Sequence, residues 1–203
     1  MSQMNLAKTD RAIMRGQKIF LRNPIKRDLS EFIALNRAGR HFYRGLASPP
    51  TEAEAFGKFL HRCRRTDSEC FFICRIEDGA IAGFIGLSQI FHGAFQNGYL
   101  GYYIGAQYAH QGFMTEALQI LLRYAFHDLK LHRLEANIQP ANVSSLALVK
   151  RAGFVREGFS RRYLKICGRW RDHERWAIIA EDWKSKPREL VVRHPTSACS
   201  GLG

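Results

Sequence analysis

The chain reads GAQYAHQGFMTEAL from Gly105 to Leu118, between a strand-like run and a segment with helical periodicity. A turn at Gly112 that leads directly into a helix lets the backbone N–H groups of residues 110–115 converge at the positive end of the helix dipole. Such a turn suits an anion such as a pyrophosphate. A single glycine also occurs in ordinary strand-to-helix turns, so this stretch alone leaves both interpretations open.

The residues before this stretch predict strands and helices in a defined order. A strand over residues 18–23 is closed by Pro24 and followed by two helices, the first capped by Asp28 or Ser30 and the second by Thr51. Apolar runs then predict a hairpin and a further strand, over residues 69–76, 80–91 and 97–104. This last strand enters the Gly112 turn.

The residues after the turn continue the α/β pattern. Apolar residues from Leu118 to Leu129 recur at helical spacing, and residues 134–139 alternate between apolar and polar. Asn142 is placed to cap a helix that ends before Gly153. Residues 154–166 and 171–179, on either side of Cys167-Gly168, predict a long antiparallel hairpin.

Length and composition indicate one globular domain of 203 residues, with 46% apolar residues. We expect a flexible N-terminus over residues 1–16, a domain over 17–183 and a loose tail over 184–203. No apolar run approaches the roughly 18 residues of a membrane span, and residues 1–16 lack the apolar core of a signal peptide. Five cysteines without a CxxC pair argue against a disulfide framework and a metal site, so the expected location is cytoplasmic.

The net charge of +13 has two explanations. It fits an acidic partner, such as ribosomal RNA, a nucleoprotein surface or the phosphates of a cofactor. It also fits a solvated basic surface, because the arginines and lysines are scattered along the chain. The total favours an anionic environment, and a weak RNA contact is one expectation.

The order of elements and several short motifs resemble the GNAT superfamily of acetyl-CoA-dependent N-acetyltransferases over residues 17–183. These motifs are Tyr99-Leu-Gly-Tyr-Tyr-Ile, Asn142-x-x-Ser145 and Gly153-Phe154. A closer likeness to the ribosomal-protein N-terminal alanine acetyltransferases of the Rim type rests on His132-Arg133, Glu157-Gly158, Tyr163 and Gly168-Arg-Trp170-Arg-Asp172-His173. The resemblance implies a mixed sheet of six to seven strands, splayed at its centre, with helices on both faces.

The resemblance also implies an acetyl-CoA site and no metal. The cofactor-binding residues it assigns are Tyr103, Ile104, His110, Gln111, Gly112, Phe113, Met114, Thr115, Asn142 and Ser145. The turn departs from the family pattern at Ala109, where Gln or Arg is usual, and at Met114, where Gly or Ala is usual. Because the turn binds through backbone N–H groups, the change at Ala109 is expected to weaken the positioning of the cofactor without abolishing the site. Met114 narrows the geometry at the helix start, so we expect acetyl-CoA to bind with modest affinity.

For catalysis, the resemblance implies Ser145 as the proton donor to the leaving thiolate. A serine at the third position of a helix also helps to satisfy free N–H groups, and that interpretation stays open. Relatives often carry a glutamate as the base at the positions of Tyr99 and Asn137. We therefore consider Tyr99, and Glu135 acting through water, against a solvated or salt-bridged role for Glu135.

The acceptor is expected to enter between the early helices and the late hairpin, where His41, Phe42, Tyr163, Asp172 and His173 are assigned to substrate binding. The lack of an obvious strong base favours an α-amino group, whose pKa lies more than two units below that of lysine. We therefore expect acetyl transfer to the N-terminus of a ribosomal protein, by a monomer or homodimer. A small-molecule amine acetyltransferase and an RNA-associated assembly factor are the alternatives.

Overall fold

The computed structural model describes residues 12–183, and its centre is one eight-stranded mixed sheet. The strands are β1 Met14–Arg15, β2 Ile19–Arg22, β3 Glu69–Arg75, β4 Ile81–Phe91, β5 Asn97–Ile104, β6 Arg133–Ile138, β7 Val155–Ile166 and β8 Arg169–Ile179. Their order across the sheet is β1-β2-β3-β4-β5-β6-β8-β7. The predicted hairpins β3–β4 and β7–β8 are confirmed.

Helices cover both faces of the sheet, as predicted. They are α1 Leu29–Ala38, α2 Ala53–Cys63, α3 Phe113–Arg123 and α4 Val143–Ala152. The first two helices bury an aromatic cluster, in which the rings of Phe32 and Phe59 lie 5.2 Å apart and Phe32 lies 4.5 Å from Phe72. On the other face, α3 and α4 bury an aliphatic core that includes Leu118 and Leu121. Two separate cores therefore fix the sheet from both sides.

The sheet opens at its centre, between β5 and β6. These two strands run parallel but pair over only three positions, from Asn97 with Arg133 to Tyr99 with Glu135. On its other side, β5 stays paired with β4 as far as Ile104. The second half of β5 therefore has no partner on the β6 side, and the predicted splay is confirmed.

The sheet has one strand more than the six to seven predicted. Met14 and Arg15 pair with β2, and the Met14 side chain is fully buried in the core under α3. The Glu116 carboxylate accepts hydrogen bonds from the backbone N–H groups of Gln17 and Lys18, which ties the β1–β2 turn to α3. This differs from the flexible N-terminus predicted over residues 1–16. Residues 1–11 and the tail predicted over 184–203 lie outside the described residues.

Asp28 has a different role from the predicted helix cap. Its carboxylate makes no cap hydrogen bond to α1 but accepts two bonds of 2.8 Å from the buried guanidinium of Arg22. It also accepts from the Ile25 N–H at 2.8 Å. The predicted cap at Thr51 is wrong, because α2 begins at Ala53 with Glu52 at the cap position.

The ends of the late elements follow the sequence signals. The Asn142 side chain caps α4, and Gly153 ends this helix with a left-handed φ of 98°. Cys167 and Gly168 both have positive φ, of 49° and 77°, as a two-residue hairpin turn requires. Within residues 12–183, no helix is long and apolar enough to cross a membrane.

Candidate active site

A cavity of about 280 Å³ lies where β5 and β6 separate, and we call it the cradle cavity. It brings together the end of β5, the Gly112 turn and the start of α4, which are distant in sequence. Most of the residues predicted to bind cofactor line it: Tyr103, Ile104, His110, Gly112, Phe113, Met114, Thr115, Asn142 and Ser145. Gln111 lies outside this lining, and its side chain donates to the Gln107 carbonyl at 2.8 Å.

The backbone of the turn has the conformation that the sequence predicted. Gly112 has a φ of 84°, and no atom lies within 4 Å of the position that a Cβ would take. The first backbone bond of α3 runs from the Glu116 N–H to the Gly112 carbonyl at 3.0 Å. The N–H groups of residues 113–115 precede that bond, so they face the cavity end of the helix dipole without intrahelical partners.

The two departures from the family pattern fit this geometry. Met114 is half-buried and packs against the core on the α3 side while it also lines the cavity. Its side chain therefore has apolar neighbours on the α3 side of the cavity. Ala109 lines the same cavity, directly after the short 3-10 turn of residues Ala106–Tyr108.

The end of β5 is fixed by a residue that the sequence analysis did not assign. The Tyr43 hydroxyl donates to the Ile104 carbonyl at 2.9 Å, and the Tyr43 side chain is 5% exposed. Burial raises the pKa of Tyr43 to about 12, so this hydroxyl remains a donor at neutral pH. Because Tyr43 belongs to the segment between α1 and α2, the bond holds that segment against the open edge of β5.

Ser145 lies at the inner end of the cradle cavity. Its backbone N–H donates to the Asn142 side chain at 3.2 Å, so Asn142 caps the helix and the Ser145 hydroxyl is left for another role. The Tyr102 hydroxyl also reaches this point. That hydroxyl is buried and makes no hydrogen bond of ordinary geometry within residues 12–183, yet Ser145 is near enough to lower its pKa. Burial outweighs that effect and raises the pKa of Tyr102 to about 12.

The two residues considered as the base do not line the cradle cavity. Glu135 accepts a bond of 2.9 Å from Arg133, whose guanidinium also pairs with Glu157 on β7. This is the salt-bridged role that the sequence left open. Burial and the nearby Glu135 carboxylate raise the pKa of Tyr99, which keeps its hydroxyl protonated and unsuited to accept a proton.

The residues predicted to bind the acceptor separate into two groups. Phe42 lines the cradle cavity, and His41 lines a neighbouring pocket. Asp172 instead accepts from the Arg162 N–H at 2.7 Å, at an irregular position of the β7–β8 pairing. His173 is buried, with Nδ1 3.0 Å from the Arg171 carbonyl oxygen, and its ring lies 6.1 Å from that of the exposed Tyr163. Neither cavity is lined by these last three residues.

Burial lowers the pKa of His173, so its imidazole is neutral at physiological pH. The hydrogen-bond contacts of Asp172 and His173 thus lie within the β7–β8 hairpin. Within residues 12–183, no cluster of three or more His, Cys, Asp and Glu side chains is arranged to hold a metal ion.

The comparisons with known proteins agree with this geometry. Residues 18–155 match the Acetyltransferase (GNAT) domain family, and the chain belongs to that family. It is therefore an acyltransferase of the GNAT type.

Among individual relatives, the chain is similar to the probable N-acetyltransferase YjcK of Bacillus subtilis, with 31% identity over 84% of this chain and 98% of that protein. It is 39% identical to the ribosomal protein uS5 alanine N-acetyltransferase of Escherichia coli, over 53% of this chain and 55% of that protein. The solved structure of Mycobacterium smegmatis RimJ in complex with CoA-disulfide superposes with a TM-score of 0.75 at 27% identity, covering 84% of this chain and 85% of that one.

Proposed function

We propose that the protein transfers the acetyl group of acetyl-CoA to the α-amino group of a protein N-terminus, with a ribosomal protein as the acceptor. The observation that carries this proposal is the cradle cavity, whose lining brings residues of the Gly112 turn together with Tyr102 and Ser145. The likeness to the uS5 alanine acetyltransferase supports the acceptor class.

The cavity suits acetyl-CoA at both of its ends. The N–H groups of residues 113–115 and the open space beside Gly112 fit a pyrophosphate, because nothing lies within 4 Å of the position that a Cβ would take at Gly112. The edge of β5 that β6 leaves unpaired offers backbone groups to the amides of a pantetheine arm. Bound there, acetyl-CoA supplies the thioester whose acetyl group is transferred.

Ser145 and Tyr102 act on the sulfur end of the reaction. Transfer forms a carbon–nitrogen bond and breaks the carbon–sulfur bond. The leaving thiolate takes a proton from Ser145, and the proton that the amine releases returns to the Ser145 oxygen through solvent. Tyr102 stabilises the resulting charge on the Ser145 oxygen by donating a hydrogen bond to it. The raised pKa of Tyr102 keeps that donor protonated at neutral pH.

The amine arrives neutral without help from a strong base. At pH 7.5 roughly a third of α-amino groups with a pKa near 7.8 are unprotonated, against about one lysine side chain in a thousand. Within residues 12–183, the lining of the cradle cavity contains no Asp or Glu. An acceptor of intrinsically low pKa suits such a site, and the amine proton leaves to solvent or to Glu135 through water.

The test is an acetylation assay with acetyl-CoA and a set of acceptors, read by mass spectrometry. The acceptors are peptides that begin with Ala, Ser or Met, a peptide with a blocked N-terminus and one free lysine, and spermidine. We expect products only from the free N-termini. Transfer confined to the lysine or to spermidine would exclude the proposed function.

The role of Ser145 is tested in the same assay with Ser145→Ala. We expect turnover to fall by about 100-fold, the usual size of a general-acid contribution, while acetyl-CoA binding is retained. Ser30→Ala is the matched control, because Ser30 lies exposed on α1 outside the cradle cavity. Equal rates for the two variants would exclude Ser145 as the acid.

A further inference from the structure

A second pocket, of about 700 Å³, adjoins the cradle cavity and carries a strongly basic lining. We call it the basic pocket, and the basic side chains that line it are Arg40, His41, Arg44, Arg169 and Arg171. The first three belong to the segment between α1 and α2, and the last two to the β7–β8 hairpin. No Asp or Glu is among the residues that line it.

The arginines of the basic pocket have no carboxylate partner within residues 12–183. The ion pairs of the described residues involve other arginines, such as Arg37 with Glu52 and Arg133 with Glu157. The Nε of Arg171 is buried and has no hydrogen-bond partner among residues 12–183. A buried guanidinium nitrogen without an acceptor is unfavourable, and an anionic ligand would satisfy it.

The basic pocket adjoins the cradle cavity. Tyr43 and Ala47 line both spaces, so these residues of the α1–α2 segment form a wall that the two share. Three contacts hold this segment in place. The Tyr43 hydroxyl donates to the Ile104 carbonyl, and the Gln139 side chain donates to the Gly45 carbonyl at 2.9 Å. The Ser48 hydroxyl lies 3.0 Å from the Cys167 thiol.

We propose that the basic pocket binds acidic side chains in the residues that follow the acceptor's N-terminal residue. The proposal rests on the proposed function, because it requires a peptide whose first residue occupies the cradle cavity. Each further residue of an extended peptide adds about 3.3–3.6 Å, so residues two to four reach the basic pocket. Asp or Glu at these positions pairs with the free guanidinium groups, whereas Lys, Arg or a polyamine is repelled.

The test compares three peptides of equal length with the full chain. All begin with Ala and differ only at positions two to four, which carry Glu, Gln or Lys. We expect kcat/KM to decrease in the order Glu, Gln, Lys, with each step on the order of tenfold. The differences shrink when the salt concentration is raised from 50 to 300 mM, because solvent screens the charges. The same kcat/KM for all three peptides would overturn the proposal and leave the proposed function standing.

Substitutions then test whether the arginines are responsible. Arg44→Gln and Arg169→Gln, one from each wall, are each expected to reduce the preference for the Glu peptide over the Gln peptide, while the Kd for acetyl-CoA stays unchanged. Arg64→Gln is the control with the same change of charge, since Arg64 is exposed at the end of α2 and lines neither cavity. A preference that all three substitutions reduce equally would overturn the proposal.

Two further outcomes assign the pocket to another ligand. A weaker Kd for acetyl-CoA in both pocket variants would assign these arginines to the cofactor's phosphates and overturn the proposal. Binding of a short RNA oligonucleotide that the two variants abolish, together with a flat peptide preference, would assign them to nucleic acid and also overturn it. If no peptide is acetylated but spermidine is, the proposed function itself fails.

Discussion

Replacing Tyr43 with Phe removes one hydroxyl from the bond that joins the α1–α2 segment to β5. The ring remains and keeps its edge contact with Tyr103, at 5.5 Å between ring centroids. The substitution therefore deletes the donor to the Ile104 carbonyl and changes little else. It tests whether this single bond holds the wall that the cradle cavity shares with the basic pocket.

The cost of the substitution follows from the burial of the bond. A typical intramolecular hydrogen bond contributes about 0.5–1.5 kcal/mol, and a buried carbonyl left without its donor adds a desolvation penalty of about 1–3 kcal/mol. The Ile104 carbonyl lies at a cavity that water can enter, which removes most of that penalty. We expect a loss of about 1.5 kcal/mol in the free energy of unfolding, equivalent to about 3–6 °C in Tm for a domain of this size.

The assay measures Tm by calorimetry together with KM for acetyl-CoA and for an N-terminal Ala peptide. Tyr163→Phe is the control for stability, because the Tyr163 side chain is exposed and its hydroxyl makes no hydrogen bond within residues 12–183. We expect a lower Tm and a higher KM for the peptide with Tyr43→Phe. A Tm within 1 °C of the Tyr163→Phe control, on a scale of about 2–4 °C per kcal/mol, would refute the reasoning.

Three other substitutions test separate features, two in the lining of the cradle cavity and one in the β7–β8 hairpin. Tyr102→Phe is expected to lower kcat by about tenfold in steady-state kinetics, because it removes the donor to Ser145. Its Tm in calorimetry is expected to be nearly unchanged, because the hydroxyl has no partner of ordinary geometry to lose within residues 12–183. Gly112→Ala, at a φ of 84°, is expected to cost about 1–2 kcal/mol and to weaken acetyl-CoA binding in calorimetric titration. His173→Gln is expected to reduce the loss of stability below pH 6.5. Burial lowers the pKa of His173, so the unfolded chain binds a proton that the folded chain excludes, and stability falls as the pH decreases from 6.5 towards the folded pKa. A Tm–pH profile identical to that of the unmodified chain would contradict this expectation.

Local sequence signals predicted the parts of the fold that depend on neighbouring residues. The cap at Asn142, the left-handed Gly153 and the Cys167-Gly168 turn need only a few adjacent positions, and all three are confirmed. The order of elements, through its family resemblance, also predicted the splay between β5 and β6. Helix α3 follows from its apolar spacing in the same way.

Contacts between residues far apart in the sequence could not be predicted from local patterns. Tyr43 and Ile104 lie 61 positions apart, and Ser48 and Cys167 lie 119 apart, so only the folded chain brings them together. Asp28 occupies the predicted cap position of α1, and only the predicted cap hydrogen bond is absent. Its position before a helix fits a cap, but Arg22 from the neighbouring strand competes for the carboxylate and wins because both groups are buried.

Glu135 shows why side-chain alternation is insufficient to identify a base. The period of β6 places Arg133, Glu135 and Asn137 on one face, as the sequence indicated. Arginine two residues away on the same strand is within reach of the carboxylate, and Glu157 from β7 completes the ion-pair network. The Glu135 carboxylate is thus engaged with Arg133 and does not line the cradle cavity, which opposes direct contact with the amine.

The positive charge of the two cavity linings affects the cofactor, the acceptor amine and the need for a base. Within residues 12–183, the linings of the cradle cavity and the basic pocket contain Arg151 and four further arginines but no carboxylate. Positive surroundings lower the pKa of a bound amine, because its protonated form is repelled, and they stabilise the negative charge that develops on the thioester oxygen and sulfur. A base is therefore needed less in this site than in one lined by acids. The same field opposes a polyamine, whose remaining cations would lie against the arginines, and it favours an N-terminus that carries its own carboxylates.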